Sequence, residues 1–464
     1  MLFSLSAVLA VPAALAAAPE APAPTAAPPA PALSAPPNPD YELGVAALKK
    51  KDSAAAAAAF ERCVSALPAC SWELGWARWL RRDWRGVVDA WSNLPADYPE
   101  LKGSLSIAKG QLTAGELATE LRRTAPATFV SAAPPGASVR LRAVGDLMIG
   151  TAFPAGYLPP NAGAGTFLDV SKALADADFT FGNLEGPLCD EDVESLKCKP
   201  DAKPGSCYAF RTPTAYASHY KAAGFDVMST ANNHASDFGE VCRDQTAAAL
   251  DSQGILHSGR PGTVANFTRN GLRIALIGFH TSPSCHHLND TEGAVALVSG
   301  LAAQNDVVIV SFHGGAEGSK AQHVPDGPEV FYGEDRGDLR RFSRAVIDAG
   351  ADLVLGHGPH VLRGMEFYQK RLIVYSMGNF ATYGRFNLTG PQAVSMIVDV
   401  TLAADGAFAA GRILGVVQVG EGVPTLDPSN EGADVVRVLS AEDFPESGVT
   451  VALDGTLGAR NGSR

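Results

Sequence analysis

The sequence predicts an α/β protein with an α-helical repeat module at its amino-terminal end, and three observations carry that expectation. Five apolar runs each stop at a polar residue. Helix-like segments alternate with those runs from Arg140 onward, and a motif recurs at a constant offset between residues 41 and 91. The runs are Leu141-Arg142-Ala143-Val144 before Gly145-Asp146, Phe179-Thr180-Phe181 before Asn183-Leu184-Glu185, and Phe225-Asp226-Val227-Met228 before Ser229-Thr230-Ala231-Asn232-Asn233-His234. Val307-Val308-Ile309-Val310 before His313 and Leu353-Val354-Leu355 before Gly356-His357-Gly358-Pro359-His360 complete the set. A buried strand spends its backbone donors on the ladder, so polar side chains just past its carboxyl end face the crevice outside the sheet. Five such endings describe one rim.

In chain order, Leu2 to Leu15 is apolar apart from two serines, and Ala16-Ala17-Ala18 offers small residues for a signal peptidase. Residues 1–18 are therefore expected to be a signal peptide and the protein to be exported, to a periplasm or cell surface. Pro12 and the shortness of the run argue against a transmembrane helix. Residues 19–39 are nearly all Ala and Pro, an extended spacer that holds the remainder away from a membrane or wall.

Tyr41-Glu42-Leu43-Gly44 with Lys50-Lys51-Asp52 recurs as Trp72-Glu73-Leu74-Gly75 with Arg81-Arg82-Asp83, and Ala59-Phe60 recurs as Ala90-Trp91. A period of about 30 residues suits stacked helix pairs of tetratricopeptide-like type. With a further helix over Ala114 to Arg123, residues 40–124 are read as a helical module that contacts a protein partner or packs as a spacer. Residues 125–138 are a proline-bearing linker, 139–420 the layered domain, and 421–464 a tail without clear elements. Within the layered domain, Phe167 to Ala175, Pro213 to Ala223, Asp244 to Gln253 and Arg340 to Ala349 carry apolar residues at helical intervals. Leu272 to Phe279, Arg371 to Ser376, Val394 to Leu402 and Ala410 to Val419 read as additional strands.

The formal net charge of −12 argues against a nucleic-acid partner, since such binding needs Lys and Arg to neutralise phosphates. Seven cysteines without CxxC spacing suggest disulfides in an exported chain. Cys63 and Cys70 are close enough to staple a helix end, and Cys189, Cys198 and Cys207 crowd one insertion. The odd count leaves at least one unpaired.

Asp146, Glu185, Asn233, His313, His357 and His360 form a set of oxygen and nitrogen donors without thiolate, suited to Mn, Fe or Zn. Asn232 or Asn233 could instead cap a helix, and a single buried histidine is often structural. Arg211 and Arg385 are candidates to hold an anionic group, because a guanidinium matches carboxylate or phosphate in bidentate fashion, though either could be a surface arginine.

Gly145-Asp146-Leu147-Met148, Asn183-Leu184-Glu185-Gly186-Pro187, Phe210-Arg211-Thr212-Pro213, Ala231-Asn232-Asn233-His234-Ala235, Ser311-Phe312-His313-Gly314-Gly315, Gly356-His357-Gly358-Pro359-His360 and Gly378-Asn379-Phe380 resemble, in order, the motifs of the CapA family of capsule and poly-γ-glutamate synthesis proteins. The resemblance runs from about Arg140 to about Val419. It implies a metallophosphatase-like layered β-sandwich flanked by helices, related to calcineurin-like phosphoesterases. Carried over by motif, it implies Asp146, Glu185, Asn233, His313, His357 and His360 as metal ligands and His234 as the general acid, with Asn183, Asn232 and Asn379 beside Arg211 and Arg385 toward substrate. The implied role is that of a metal-dependent hydrolase or an accessory protein acting on an anionic envelope polymer such as poly-γ-glutamate. Two departures stand out. The phosphoesterase pattern Asp-x-His is Asp146-Leu147-Met148 here, one imidazole fewer, and Gly-His-x-His gains a residue between His357 and His360.

Overall fold

The computed structural model describes residues 38–199, 203 and 207–460. The expected signal peptide and most of the Ala/Pro spacer lie outside them. No helix among the described residues is long and apolar enough to cross a membrane.

The repeat read from the sequence is repeated in space as two helical hairpins. Helices α1 (Pro39–Lys49) and α2 (Ser53–Glu61) form one, and α3 (Pro68–Trp79) and α4 (Trp84–Trp91) the other. Several motif residues do the same job twice. Lys51 and Arg82 both take left-handed backbone, φ 60° and 56°, to end the first helix of each pair. Asp52 and Asp83 then cap the second, accepting from Ala55 N at 2.9 Å and Gly86 N at 3.0 Å. The recurring glycines let the next helix approach: a Cβ on Gly44 would lie 2.4 Å from the Phe60 ring, and one on Gly75 1.8 Å from Trp91. Trp72 and Trp91 stack at 5.0 Å, and Trp91 Nε1 donates to Trp72 O. Cys63–Cys70 ties α2 to α3.

The repeat differs at one carboxylate. Glu42 is exposed, whereas its counterpart Glu73 is buried near Tyr41 and Tyr98, and burial pushes its pKa from 4.5 up to about 7. A carboxyl group raised on folding contributes stability that is complete below pH 4.5 and is lost as pH climbs through about 7. Glu73→Gln is therefore expected to gain on the wild type between those values and to melt higher at pH 8. Thermal melts of both proteins across that range check this, and parallel curves would refute it.

Helix α5 (Leu101–Thr124) is 24 residues long, well beyond the expected Ala114 to Arg123. Gly103, Gly110 and Gly115 dilute its periodicity in sequence. Leu117, Ala118 and Leu121 pack into the layered domain, and a Cβ on Gly300, in helix Thr291–Ala302, would sit 2.7 Å from Leu121 Cβ. Gln111 Nε2 donates to Cys285 O at 2.8 Å, and Arg82 pairs with Asp290. The module is thus seated on the α/β domain through α5.

That domain is built on two mixed sheets. The first has strand Ser138–Met148 near its centre, parallel to Phe179–Leu184, which continues through Val227–Ser229 to Leu256–Ser258. On the other side it runs antiparallel to Val394–Ala403, followed by Phe408–Val419 and Val423–Leu426. Asn379–Thr382 pairs parallel with the carboxyl end of the central strand. The second sheet aligns Leu272–His280, Val307–His313, Leu353–His357 and Arg371–Val374 in parallel, with Ala265–Arg269 and Met365–Tyr368 antiparallel at its edges.

Side-chain alternation shows how the sheets stack. Val139, Leu141 and Ala143 share one core with Leu272, Ile274, Val307, Ile309, Leu353 and Leu355, so these faces oppose each other. The alternate residues Val144 and Leu147 face Val170, Leu174, Tyr220 and Leu250 of helices Leu168–Ala175, Ala217–Ala223 and Gly239–Ser252. Ala275, Val308, Val310 and Val354 face Leu297, Val298, Phe342 and Val346 of helices Thr291–Ala302 and Leu339–Asp348. The order is helices, sheet, sheet, helices. Residues after 420, read from sequence as a tail, correct that reading: Ala433 and Val436 of helix Glu431–Asp443, with Val449, Val451 and Leu457, complete the inter-sheet core. The layered domain continues through them.

Candidate metal centre

Both sheets deliver their parallel strand ends to one edge. Registers pair Asp146 with Asn183 and with Asn379, Asn183 with Ser229, and His313 with both His280 and His357. The approach is close enough to require glycine. A Cβ on Gly145 would lie 1.9 Å from Gly378 O, and Gly358, at φ 113°, leaves 2.6 Å between a Cβ and Gly314 O. This turn, with His360 itself in left-handed backbone at φ 58°, brings His357 and His360 back onto Asp146.

Asp146, Glu185 and His313 present ligand atoms within 4.8 Å of one another, all three side chains wholly buried. His357 Nδ1 lies 3.4 Å from Asp146 Oδ1 and His360 Nδ1 3.0 Å from Asp146 Oδ2. His313 Nε2 and His360 Nε2 lie 3.3 and 3.6 Å from Glu185 Oε1. Yet both Glu185 oxygens, both nitrogens of His313 and of His357, and Asn233 Oδ1 are buried without a hydrogen-bond partner. Burying so many unpaired donors and acceptors is costly unless something joins them. A divalent cation among these oxygen and nitrogen atoms satisfies them together, so the residues present fit a metal.

The electrostatics agree. Burial alone would raise Asp146, but the His357 and His360 imidazoles beside it hold it well below the usual carboxylate range. Burial and the Asp146 charge push Glu185 well above it. Burial lowers His313 far below the normal imidazole value. His360 opposes its own burial because Glu185, Asp146 and Glu317 draw positive charge onto it, raising it to about 10. Two buried carboxylates of which one is forced up form a site built to receive a cation.

His234 stands beside the cluster in a different setting. Its Nδ1 is 2.7 Å from Asp237 Oδ2, its backbone N–H donates to Asn232 Oδ1, and its ring lies 4.2 Å from Phe210. Phe210 meets Phe386 at 5.3 Å, and Phe386 meets His360 at 5.2 Å, so His234 and His360 share one aromatic rim. Asn232 Nδ2 donates to Asn183 Oδ1 and Leu184 O, and Asn183 Nδ2 donates to Asp146 Oδ1 at 2.9 Å. Those two carboxamides are consumed in orienting Asp146 and His234 rather than facing a substrate. Asn379 is likewise buried, its Nδ2 donating to Gln392 O and its Oδ1 unpartnered.

The two arginines separate. Arg385 lies between the rings of Tyr157 and Tyr208, 4.8 Å from each, next in sequence to rim residue Phe386. Arg211 is spent elsewhere: its guanidinium donates to Glu191 O at 2.6 Å and Asp192 Oδ1 at 3.2 Å, propping the loop that follows Cys189. Sequence reasoning missed Asp237, Glu317 and Lys197. Asp237 follows His234 by three residues, a local spacing open to reading. Glu317 Oε2 sits 3.8 Å from His360 Nε2, its other oxygen paired with Arg336 at 2.8 Å, and nothing local in sequence signals that approach.

Residues 140–383 match the family model described as bacterial capsule synthesis protein PGA_cap. An uncharacterised protein of Sinorhizobium fredii is 28% identical over 307 residues, covering 51% of this chain and 65% of that protein. The capsule biosynthesis protein CapA of Bacillus anthracis is 28% identical over 228 residues, 46% of this chain and 53% of its own. The PGA biosynthesis protein CapA of Bacillus subtilis is 27% identical over 264 residues, 51% and 61%. The chain thus spans between about half and just under two thirds of these relatives.

Proposed function

The chain belongs to the family of bacterial capsule synthesis proteins that includes CapA, and from that premise we propose that it is an exported, metal-dependent hydrolase of an anionic envelope polymer, with poly-γ-glutamate as the substrate class. The observation that carries this reading is the buried Asp146, Glu185 and His313 cluster with its unpartnered lone pairs. Asp146, Glu185 and His313 would hold the metal, with Asn233, His357 and His360 completing its surroundings. A bound Mn, Fe or Zn ion would supply Lewis acidity and a water of lowered pKa. His234, oriented by Asp237, gives a proton to the leaving amine or alkoxide, and the Phe210 and Phe386 rings exclude bulk water from that transfer. The fold is taken as metallophosphatase-like on the strength of the stacked sheets and of strand ends that converge on the ligands.

Three disulfides among the described residues, Cys63–Cys70, Cys189–Cys242 and Cys198–Cys207, support an oxidising compartment outside the cytoplasm. The helical hairpins, tetratricopeptide-like in their repeat, are assigned to binding a protein partner. A second reading, a non-catalytic accessory protein of polymer synthesis, draws support from Met148, a buried thioether where the phosphoesterase pattern has an imidazole.

Metal analysis of the purified protein beside a hydrolysis screen of phosphoesters and γ-glutamyl polymers tests the two. Stoichiometric metal with an open coordination position and cleavage of a polymer is the expected result. Protein that binds no divalent metal and cleaves nothing would leave the accessory reading.

A further inference from the structure

The loop after Cys189 brings a cation to His234. Lys197 Nζ donates to Asn233 O at 3.1 Å and lies 3.2 and 3.4 Å from Nδ1 and Nε2 of His234, with Asp237 Oδ1 at 3.6 Å. The ammonium is nearly equidistant from the two ring nitrogens, of which Nδ1 faces Asp237. Asp237 Oδ2 is already shared, taking Phe210 N at 2.8 Å as well as His234, while the otherwise unpartnered Oδ1 is the oxygen that faces Lys197. The ammonium therefore has a carbonyl and an imidazole for close company, one carboxylate oxygen at longer range, and 32% of its side chain open to solvent.

The chain invests in holding it there. Leu196 N and Ser195 Oγ donate to Asp237 O at 2.8 and 3.2 Å, and Ser195 Oγ accepts from Lys197 N and Cys198 N. Cys198–Cys207 and Cys189–Cys242 staple the loop, and Arg211 props it. Fixing a lysine costs side-chain entropy, which these contacts must offset. The charge of Lys197 also reaches Glu185, as a minor influence on that carboxylate. A site with two buried carboxylates repels an anionic substrate unless a cation at its mouth offsets them.

We propose that Lys197 receives an oxyanion of the substrate beside the bond that His234 protonates, and so selects for negatively charged substrates. The proposal rests on the hydrolase reading above and names the group its substrate must carry. Carboxylate and phosphate share this chemistry, and the test separates them. Calorimetric titration of the full-length, metal-loaded protein with a γ-linked glutamate oligomer and, separately, with inorganic phosphate compares wild type, Lys197→Met and Lys197→Arg. The expected result is binding of at least one probe that weakens about tenfold or more in Lys197→Met, is largely kept in Lys197→Arg, and loses part of its salt dependence, with metal content unchanged. Phosphate binding that depends on Lys197 with no binding of the oligomer supports the oxyanion site and removes the polymer assignment. Equal binding of both probes by wild type and Lys197→Met overturns the inference, and if Lys197→Met still cleaves the oligomer normally, the hydrolase reading stands without it. Wild type that binds neither probe also overturns it.

Discussion

Asp146→Ala is expected to strip the protein of divalent metal and to abolish hydrolysis. Asp146 is central to the cluster: His357 and His360 approach its two oxygens, Asn183 steadies one of them, and Glu185 and His313 lie within ligand reach. Removing it deletes a ligand and frees the imidazoles that it orients. The loss in metal affinity should therefore exceed the roughly 100-fold that removing an outer partner alone costs. Because Asp146 is buried at a strand end, Asp146→Asn is the companion variant, keeping the shape while removing the ligand's charge and one of its two acceptor oxygens. Elemental analysis and thermal melts with and without added metal provide the check: both variants should lose the metal-dependent rise in melting temperature that wild type shows. Full metal content in a folded Asp146→Ala protein would move the metal site elsewhere.

The layout of this centre was legible in sequence because parallel strands buried on both faces read as continuous apolar runs, and the residue at which each run breaks must face the crevice. Asp146, Glu185, His313, His357 and His360 all stand at such breaks, and the structure gathers them within a few ångströms of each other. The repeat was legible for a similar reason. Gly44 and Gly75 recur because an aromatic ring fills the space where a side chain would stand. What escaped reading depends on tertiary path. Arg211 has the chemistry of an anion holder, yet the carbonyls of the loop after Cys189 claim its guanidinium. Lys197 looks like one more charge in a polar insertion until the turn at Asp237 and two disulfides carry it to His234. Asn183 and Asn232 look like substrate contacts because they are polar strand-end residues, but each amide is spent on a neighbour. Helix Glu431–Asp443 was passed over although Ala433, Val436 and Leu439 recur at helical spacing, and it gains its stability from the core that it closes.

His234→Ala, by contrast, is expected to keep the metal and lose turnover by on the order of a hundredfold or more, the usual contribution of a positioned acid. The argument lies in the partners of the ring. His234 gives one nitrogen to Asp237 and makes no hydrogen bond or ion pair with Asp146, Glu185 or His313, whereas the neighbouring Asn233 has a buried carboxamide oxygen with no hydrogen-bond partner. On the proposed function the amide is the ligand and the imidazole the acid. Asn233→Ala should then lower metal content together with activity, while His234→Ala lowers only activity. Asp237→Asn should resemble a weakened His234→Ala, since the ring remains but loses the carboxylate that fixes its tautomer and supports its positive charge. Burial depresses the His234 pKa and Asp237 partly restores it, so Asp237→Asn should also carry the alkaline limb of the pH-rate profile to lower pH. Metal analysis and initial rates for the three variants decide the assignment. If His234→Ala alone loses metal, the imidazole is the ligand and the roles of these neighbours are exchanged. If none of the three changes metal content or hydrolysis in a folded protein, the rim is no reaction centre and the chain serves polymer synthesis without cleaving a bond.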